Sequence, residues 1–363
     1  MKRFIEISVP VTTCNLRCHY CYISQQRLFS SGITPLPYSI SHIRRALSRE
    51  RLGGVCLLNL CGGGETLLPD YMFDLVHALL EEGHYVMIVT NGTVTKRIRE
   101  MVGMYPAELK SRLIFKFSFH YLELKKRGLL NLYFDNVRTV RDGGCSFSVE
   151  IAPSDELIPH IDDVKRECME HLGALCHVTV ARDERRKEFP ILTSLTREDY
   201  IRTWSQFDSP MFDYKIRVFG EKRREFCYSG LWGGILNLAT GEYSACYRSS
   251  DRQNIMDDPD RPIEIRPVGR CNCAHCFNAH ARLALGMIPE LEAPVYADMR
   301  DRVDREGRHW LQPAMRAFLS QRLDTDNALL SDEEKRRISR HASVRNLVYK
   351  VRAFAAGIYH RIR

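Results

Sequence analysis

No run of apolar residues in this 363-residue chain reaches the ~18 needed to span a bilayer. The opening residues, MKRFIEISVPVTTCN, lack the apolar centre of a secretory signal. Low-complexity segments are missing as well. These absences exclude a membrane-spanning helix bundle and point to a cytoplasmic protein. A composition of 44% apolar and 27% charged residues excludes a disordered chain. A charge surplus is also missing from most of the length. The net charge is +8, but residues 333–363 hold nine Lys/Arg against two Asp/Glu, so seven of the eight charges sit there. Nucleic-acid binding would need basic residues concentrated on the body, so nucleic acid is not an expected partner.

Cysteine is abundant, with 13 residues. In a reducing cytosol, clustered cysteines more often bind metal than form disulfides. Cys14, Cys18 and Cys21 lie within eight residues, and Cys271, Cys273 and Cys276 within six. Around the first group runs an alternation of short apolar segments and helical patterns. Strands are expected at Phe4–Val9, Val55–Leu60, Tyr85–Thr90, Leu113–Phe119, Ser146–Ile151 and Leu175–Val180. Helices are expected at Asp70–Glu82, Leu129–Asp142 and Asp155–His171. Alternation of this kind predicts βαβ units on a parallel sheet. Six units suit an α/β fold of open, partial (β/α)6 barrel type, with chemistry at the C-terminal strand ends.

Cys14-Asn-Leu-Arg-Cys18-His-Tyr-Cys21 has the spacing C-x3-C-x2-C and directly follows the first strand. Three thiolates on one loop suit three irons of a [4Fe–4S] cube, the fourth iron staying open. Zinc is the alternative, with His19 as a fourth ligand. Gly62-Gly63-Gly64-Glu65 follows the second strand and Thr90-Asn91-Gly92 the third. Together these residues resemble the radical S-adenosylmethionine superfamily, whose hallmark is CxxxCx-aromatic-C at this place. The resemblance implies that Cys14, Cys18 and Cys21 hold one [4Fe–4S] cluster. It implies that Gly63, Gly64 and Glu65 take the methionine amino group, while Asn91 belongs to a segment common in such enzymes. Ser118 is implied at the ribose; His120 stands where an aspartate is usual and joins it as a candidate. Reductive cleavage of S-adenosylmethionine to a hydrogen-abstracting radical follows, fed by a flavodoxin- or ferredoxin-type donor.

Cys227, then Gly241-x4-Cys246, then Cys273-x2-Cys276 resembles the auxiliary-cluster regions named SPASM and Twitch. The resemblance implies an auxiliary [4Fe–4S] cluster on Cys227, Cys246, Cys273 and Cys276, with Cys271 spare. Zinc, using Cys271 or His275, remains open. Ala239–Glu242 reads as a hairpin turn returning Cys246 beside its partner strand. Three segments result: a barrel over 1–190, an auxiliary region over 215–285, and a mostly helical extension over 290–363.

Strand alternation turns Glu6, Ser8, Lys116, Ser118, His120, Ser148, Glu150, His177 and Thr179 inward. Lys116 and Glu150 either neutralise each other as a salt bridge or assist proton transfer to a substrate. A polar interior suits a polar, hydroxyl-rich substrate, such as a glycan or sugar-derived molecule undergoing epimerisation or oxidation. Peptide or protein maturation is the alternative; strand one begins at about residue 4, leaving no room for the recognition domain common in peptide maturases. Formylglycine formation fits less well, because its family usually has more auxiliary cysteines. A metal-stabilised binding or electron-transfer protein is the non-enzyme reading. Residues 345–363 read as a basic amphipathic helix, which either docks on the barrel or lies peripherally on the inner face of a membrane.

Overall fold

β-Branched and aromatic residues alternate with small or polar ones in the first strands, and the computed structural model pairs them as one twisted sheet. It describes residues 1–340 apart from Lys187, Arg248, Ser250, 272–275, Phe277 and Asn278. The basic stretch 345–363, with both readings placed on it, lies outside the described residues. Six parallel strands run in chain order: β1 (Phe4–Val9), β2 (Leu57–Gly62), β3 (Tyr85–Thr90), β4 (Leu113–Ser118), β5 (Ser146–Ile151) and β6 (His177–Val178). Helices Met72–Glu81, Leu130–Asp142 and Ile161–His171 cover the outer face. Outward residues such as Phe115, Phe117, Phe147 and Val149 are buried against that layer. The partial α/β barrel expected from the alternation is the observed architecture.

The sheet does not stop at the barrel. A two-stranded pair, β7 (Phe226–Cys227) with β11 (Gly269–Arg270), stands apart. Between them in sequence come β8 (Gly233–Asn237), β9 (Glu242–Ser244) and β10 (Arg252–Asn254). β8 pairs parallel with β1, and β9 and β10 extend the sheet antiparallel, giving nine strands in the order β10-β9-β8-β1-β2-β3-β4-β5-β6. The expected hairpin turn joins β8 to β9. Gly241 sits there at φ +73, a left-handed conformation that a side chain resists.

The extension after residue 290 differs from the helical expectation. Residues 290–312 contain no helix. Their backbone bonds instead to the barrel, as in Phe147 N–H donating to the Trp310 carbonyl at 3.0 Å. Short helices follow at Pro313–Leu319 and Leu323–Asp326. Inward residues at the N-terminal strand ends, Phe4, Leu57, Met87 and Ile114, pack with Trp232, Leu285 and Met287 from this half of the chain. That cluster closes the bottom of the barrel. Above it the inward face stays partly open: Ser8, Cys61, Val89, Lys116, Ser118 and Thr179 all keep some exposure. Among the described residues, no helix is long and apolar enough to cross a membrane.

Candidate functional site

The loop after β1 is fixed by the end of β2. Gly64 N–H donates to the Val11 carbonyl at 2.7 Å, and Glu65 N–H to the Thr13 carbonyl at 2.9 Å. A Cβ on Gly64 would lie 1.9 Å from the Thr13 carbonyl oxygen, and one on Gly62 would lie 2.3 Å from the Val11 side chain. The glycines therefore let β2 lie against the cysteine loop, an immediate packing role the sequence did not reveal. Beyond Thr13, Cys21 N–H donates to the Cys18 carbonyl at 3.1 Å, and Cys21 caps the helix Tyr22–Gln26. Cys14, Cys18 and Cys21 line one pocket together with Gly63, Gly64, Glu65, Asn91, Ser118 and His120. All nine residues expected at the main site are thus brought together.

Burial raises all three thiols above their ordinary range. A metal group that takes them as thiolates must displace their protons. His19 turns away from them: its Nε2 lies 2.8 Å from Glu156 Oε2. The zinc reading loses its fourth ligand there. Among the described residues, no group of three His, Cys, Asp or Glu side chains is placed to hold a single metal ion. A cube needs no such convergence, since each thiolate ligates its own iron. Three soft thiols without a fourth ligand fit an iron–sulfur cluster with one open position.

Glu65 is 3% exposed and accepts hydrogen bonds from Leu67 N–H at 3.0 Å, Thr90 Oγ1 at 2.7 Å and Asn91 N–H at 2.7 Å. Burial raises its pKa, and these donors oppose the shift. The carboxylate expected to face an ammonium first ties β2 to β3, with one lone-pair site left over. Asn91 Nδ2 donates to Asn15 Oδ1 at 2.8 Å and lies 3.8 Å from Cys14 Sγ, so β3 also holds the loop. His120 Nδ1 shares a 2.7 Å hydrogen bond with the Tyr20 hydroxyl. Burial lowers His120 to about 4, so its ring is neutral near pH 7. The departure from aspartate at this position is matched by the aromatic slot before Cys21.

Deeper in the barrel, Lys116 Nζ lies 3.1 Å from Glu150 Oε2, so the expected mutual pair forms. Arg300 Nη1 contacts the other Glu150 oxygen and its Nε reaches the Tyr296 hydroxyl at 3.0 Å. A carboxylate held by two cations is a poor proton acceptor, which weakens Glu150 as a base. Lys116 is pulled down to about 7 by burial, reinforced by Arg300. Glu6 is paired in the same way with Arg282, at 2.5 Å.

Residues 8–108 match the family model of the radical SAM superfamily. This stretch is a radical SAM domain. No curated protein matches the chain. Among solved structures, Streptococcus suis SuiB bound to S-adenosylmethionine is similar at TM-score 0.51 and 14% identity, over 70% of this chain and 64% of that one. The chain therefore spans less than two thirds of the SuiB chain. A native anSMEcpe with bound AdoMet matches at TM-score 0.50 and 15% identity, over 71% and 79%. Likeness at these identities concerns the fold.

Outside the radical SAM domain, a second pocket is lined by Cys227, Cys246, Cys271 and Cys276, with Arg282 and Tyr247 beside them. The β7–β11 pairing, Cys227 opposite Gly269, carries Cys271 close to Cys227. Three of the four expected auxiliary ligands meet there and Cys271 is the fourth thiol described. Cys273 lies outside the described residues. Arg282, Arg300 and Tyr296 escaped the sequence reading because no local pattern marks an arginine that reaches back to a strand. The available signal was indirect: inward Glu6 and Glu150 each required a partner.

Proposed function

We propose that this chain is a radical SAM enzyme acting on a polar substrate held in the barrel lumen, a glycan or sugar-derived molecule. The observation carrying the reading is the single pocket that joins three loop thiols to Gly63–Glu65, Asn91 and Ser118 above a partly open, polar inward face. Cys14, Cys18 and Cys21 would hold one [4Fe–4S] cluster. When bound, the cluster and S-adenosylmethionine supply one-electron chemistry that ends in hydrogen-atom abstraction. The chain's own residues position and insulate. Gly63 and the remaining lone pair of Glu65 orient the methionine end. Ser118 meets the ribose, where neutral His120 adds polarity without charge. Lys116 is the lumen group able to move a proton near neutral pH. Cys227, Cys246 and Cys276 would hold an auxiliary cluster, with Cys271 or Cys273 completing it. A flavodoxin- or ferredoxin-type protein would deliver electrons, and residues 345–363 would give reversible contact with an anionic membrane.

A peptide or protein substrate is the second reading. It is favoured by a polar cleft of mixed charge beside the cysteine loop, lined by Gln25, Asp155, Asp183, Arg185 and Thr193. The class is tested by anaerobic reconstitution with iron and sulfide, then reduction with S-adenosylmethionine present. Release of 5′-deoxyadenosine is expected, and none from the variant with Cys14, Cys18 and Cys21 all changed to Ala. Equal release from that variant would refute the assignment.

A further inference from the structure

Lys215, on the helix Pro210–Val218, is buried, yet its ammonium is given no counter-charge. Its Nζ donates to the Thr179 hydroxyl at 2.5 Å. Among the described residues, no carboxylate forms an ion pair with it. Burying an ammonium without an anion is costly, and burial, with Arg182 and Lys116 nearby, lowers the Lys215 pKa well below the ordinary lysine value; an anion placed here would restore its charge. The position of Thr179 places this charge. Glu150 is opposite His177 in the β5–β6 register, so Thr179 lies two residues further toward the C-terminal mouth. That is the end of the barrel where the cysteine pocket opens.

The surroundings repeat the imbalance. On the inward face, Lys116, Arg300, Arg282 and Lys215 stand against two carboxylates, Glu150 and Glu6. Arg182, also near Lys215, is already paired with Glu184 at 2.8 Å. His280 is buried close to Lys215 and Lys116, and its Nδ1 has no hydrogen-bond partner among the described residues. A buried lysine without an anionic partner, an unmet imidazole nitrogen and a partly open lumen share one region.

We propose that this region binds an oxyanion of the substrate, a carboxylate or a phosphate, with Lys215 as the ion-pairing residue and His280 as a supporting donor. The inference rests on the lumen being the substrate site and narrows the substrate class from polar to anionic. Lys116 already has a carboxylate facing it, Glu150, which leaves Lys215 as the amine whose pairing a ligand completes.

The test uses the reconstituted full chain and two probes, inorganic phosphate and malonate, followed by calorimetric titration and by thermal shift. The wild-type protein should bind at least one probe with one-to-one stoichiometry and melt at higher temperature in its presence. Which probe binds tells phosphate from carboxylate chemistry. Lys215→Met should weaken that binding at least tenfold and lose the thermal shift, and Lys215→Arg should restore part of both. The Met variant removes a buried charge, so it is expected to fold; its melting temperature without probe checks this. If it nonetheless fails to fold, His280→Ala should weaken the probe by a smaller factor. Binding undiminished in Lys215→Met, or no binding of either probe by the wild type, would overturn the proposal. Release of 5′-deoxyadenosine by the wild type is scored separately, so failure of the anion site is distinguishable from failure of the enzyme class.

Discussion

Glu65 shows how a single residue serves the site through the fold. Two of its three hydrogen bonds, from Thr90 and Asn91, bind the end of β2 to the end of β3 in a dry setting, and the third, from Leu67 N–H, holds its own loop. Bonds to a charged acceptor contribute more than neutral ones. Glu65→Ala should therefore cost about 2–3 kcal/mol of stability by denaturant titration, in addition to any loss of cofactor binding. His120 allows a pH test. Its folded pKa, about 4, lies below the ~6.5 of an unfolded histidine. The unfolded chain then binds more protons between those values, so stability falls as pH falls from ~6.5 toward ~4. His177, buried and lowered to about 3, adds to the same slope. Melting temperature should decline through this window, less steeply in His120→Asn. An unchanged slope in that variant would place the titration elsewhere.

At the scale of elements, the junction between the cysteine loop and β2 is the critical contact. Gly64→Ala forces a methyl group against the Thr13 carbonyl. Overpacking of this kind costs about 1–3 kcal/mol, and relief is available only by moving the loop. Iron content after reconstitution should drop by about the four atoms of one cube. The strands themselves were readable. β1, β3 and β5 occupy the expected residues because their alternation is local. β6 is only His177–Val178, shorter than expected; it is the edge strand of the sheet, and the Ser209 hydroxyl accepts from its Val178 N–H at 3.0 Å. The parallel pairing of β8 with β1 was not legible, because it joins segments more than 200 residues apart that are not consecutive strands of a βαβ unit. The cysteine motif was legible from spacing. The arginines that neutralise Glu6 and Glu150 were not, because their partners are set by tertiary packing alone.

At the scale of the molecule, the first cysteines follow β1 of the nine-stranded sheet, Cys227 lies on the separate β7–β11 pair and Cys271 directly follows it, and the later half of the chain plugs the barrel that the first half builds. Removal of residues 345–363 should leave cluster assembly intact and abolish salt-sensitive pelleting with anionic vesicles; pelleting that survives the deletion would put membrane contact elsewhere. The central claim is an iron–sulfur cluster at Cys14, Cys18 and Cys21 with an iron open to S-adenosylmethionine. It is tested most directly by electron paramagnetic resonance of the reduced protein in which Cys227, Cys246, Cys271, Cys273 and Cys276 are all Ala, so that only the first site can report. The account predicts a [4Fe–4S] signal that changes when S-adenosylmethionine is added. A folded variant with no cluster signal, or with one that S-adenosylmethionine leaves unaltered, would contradict it.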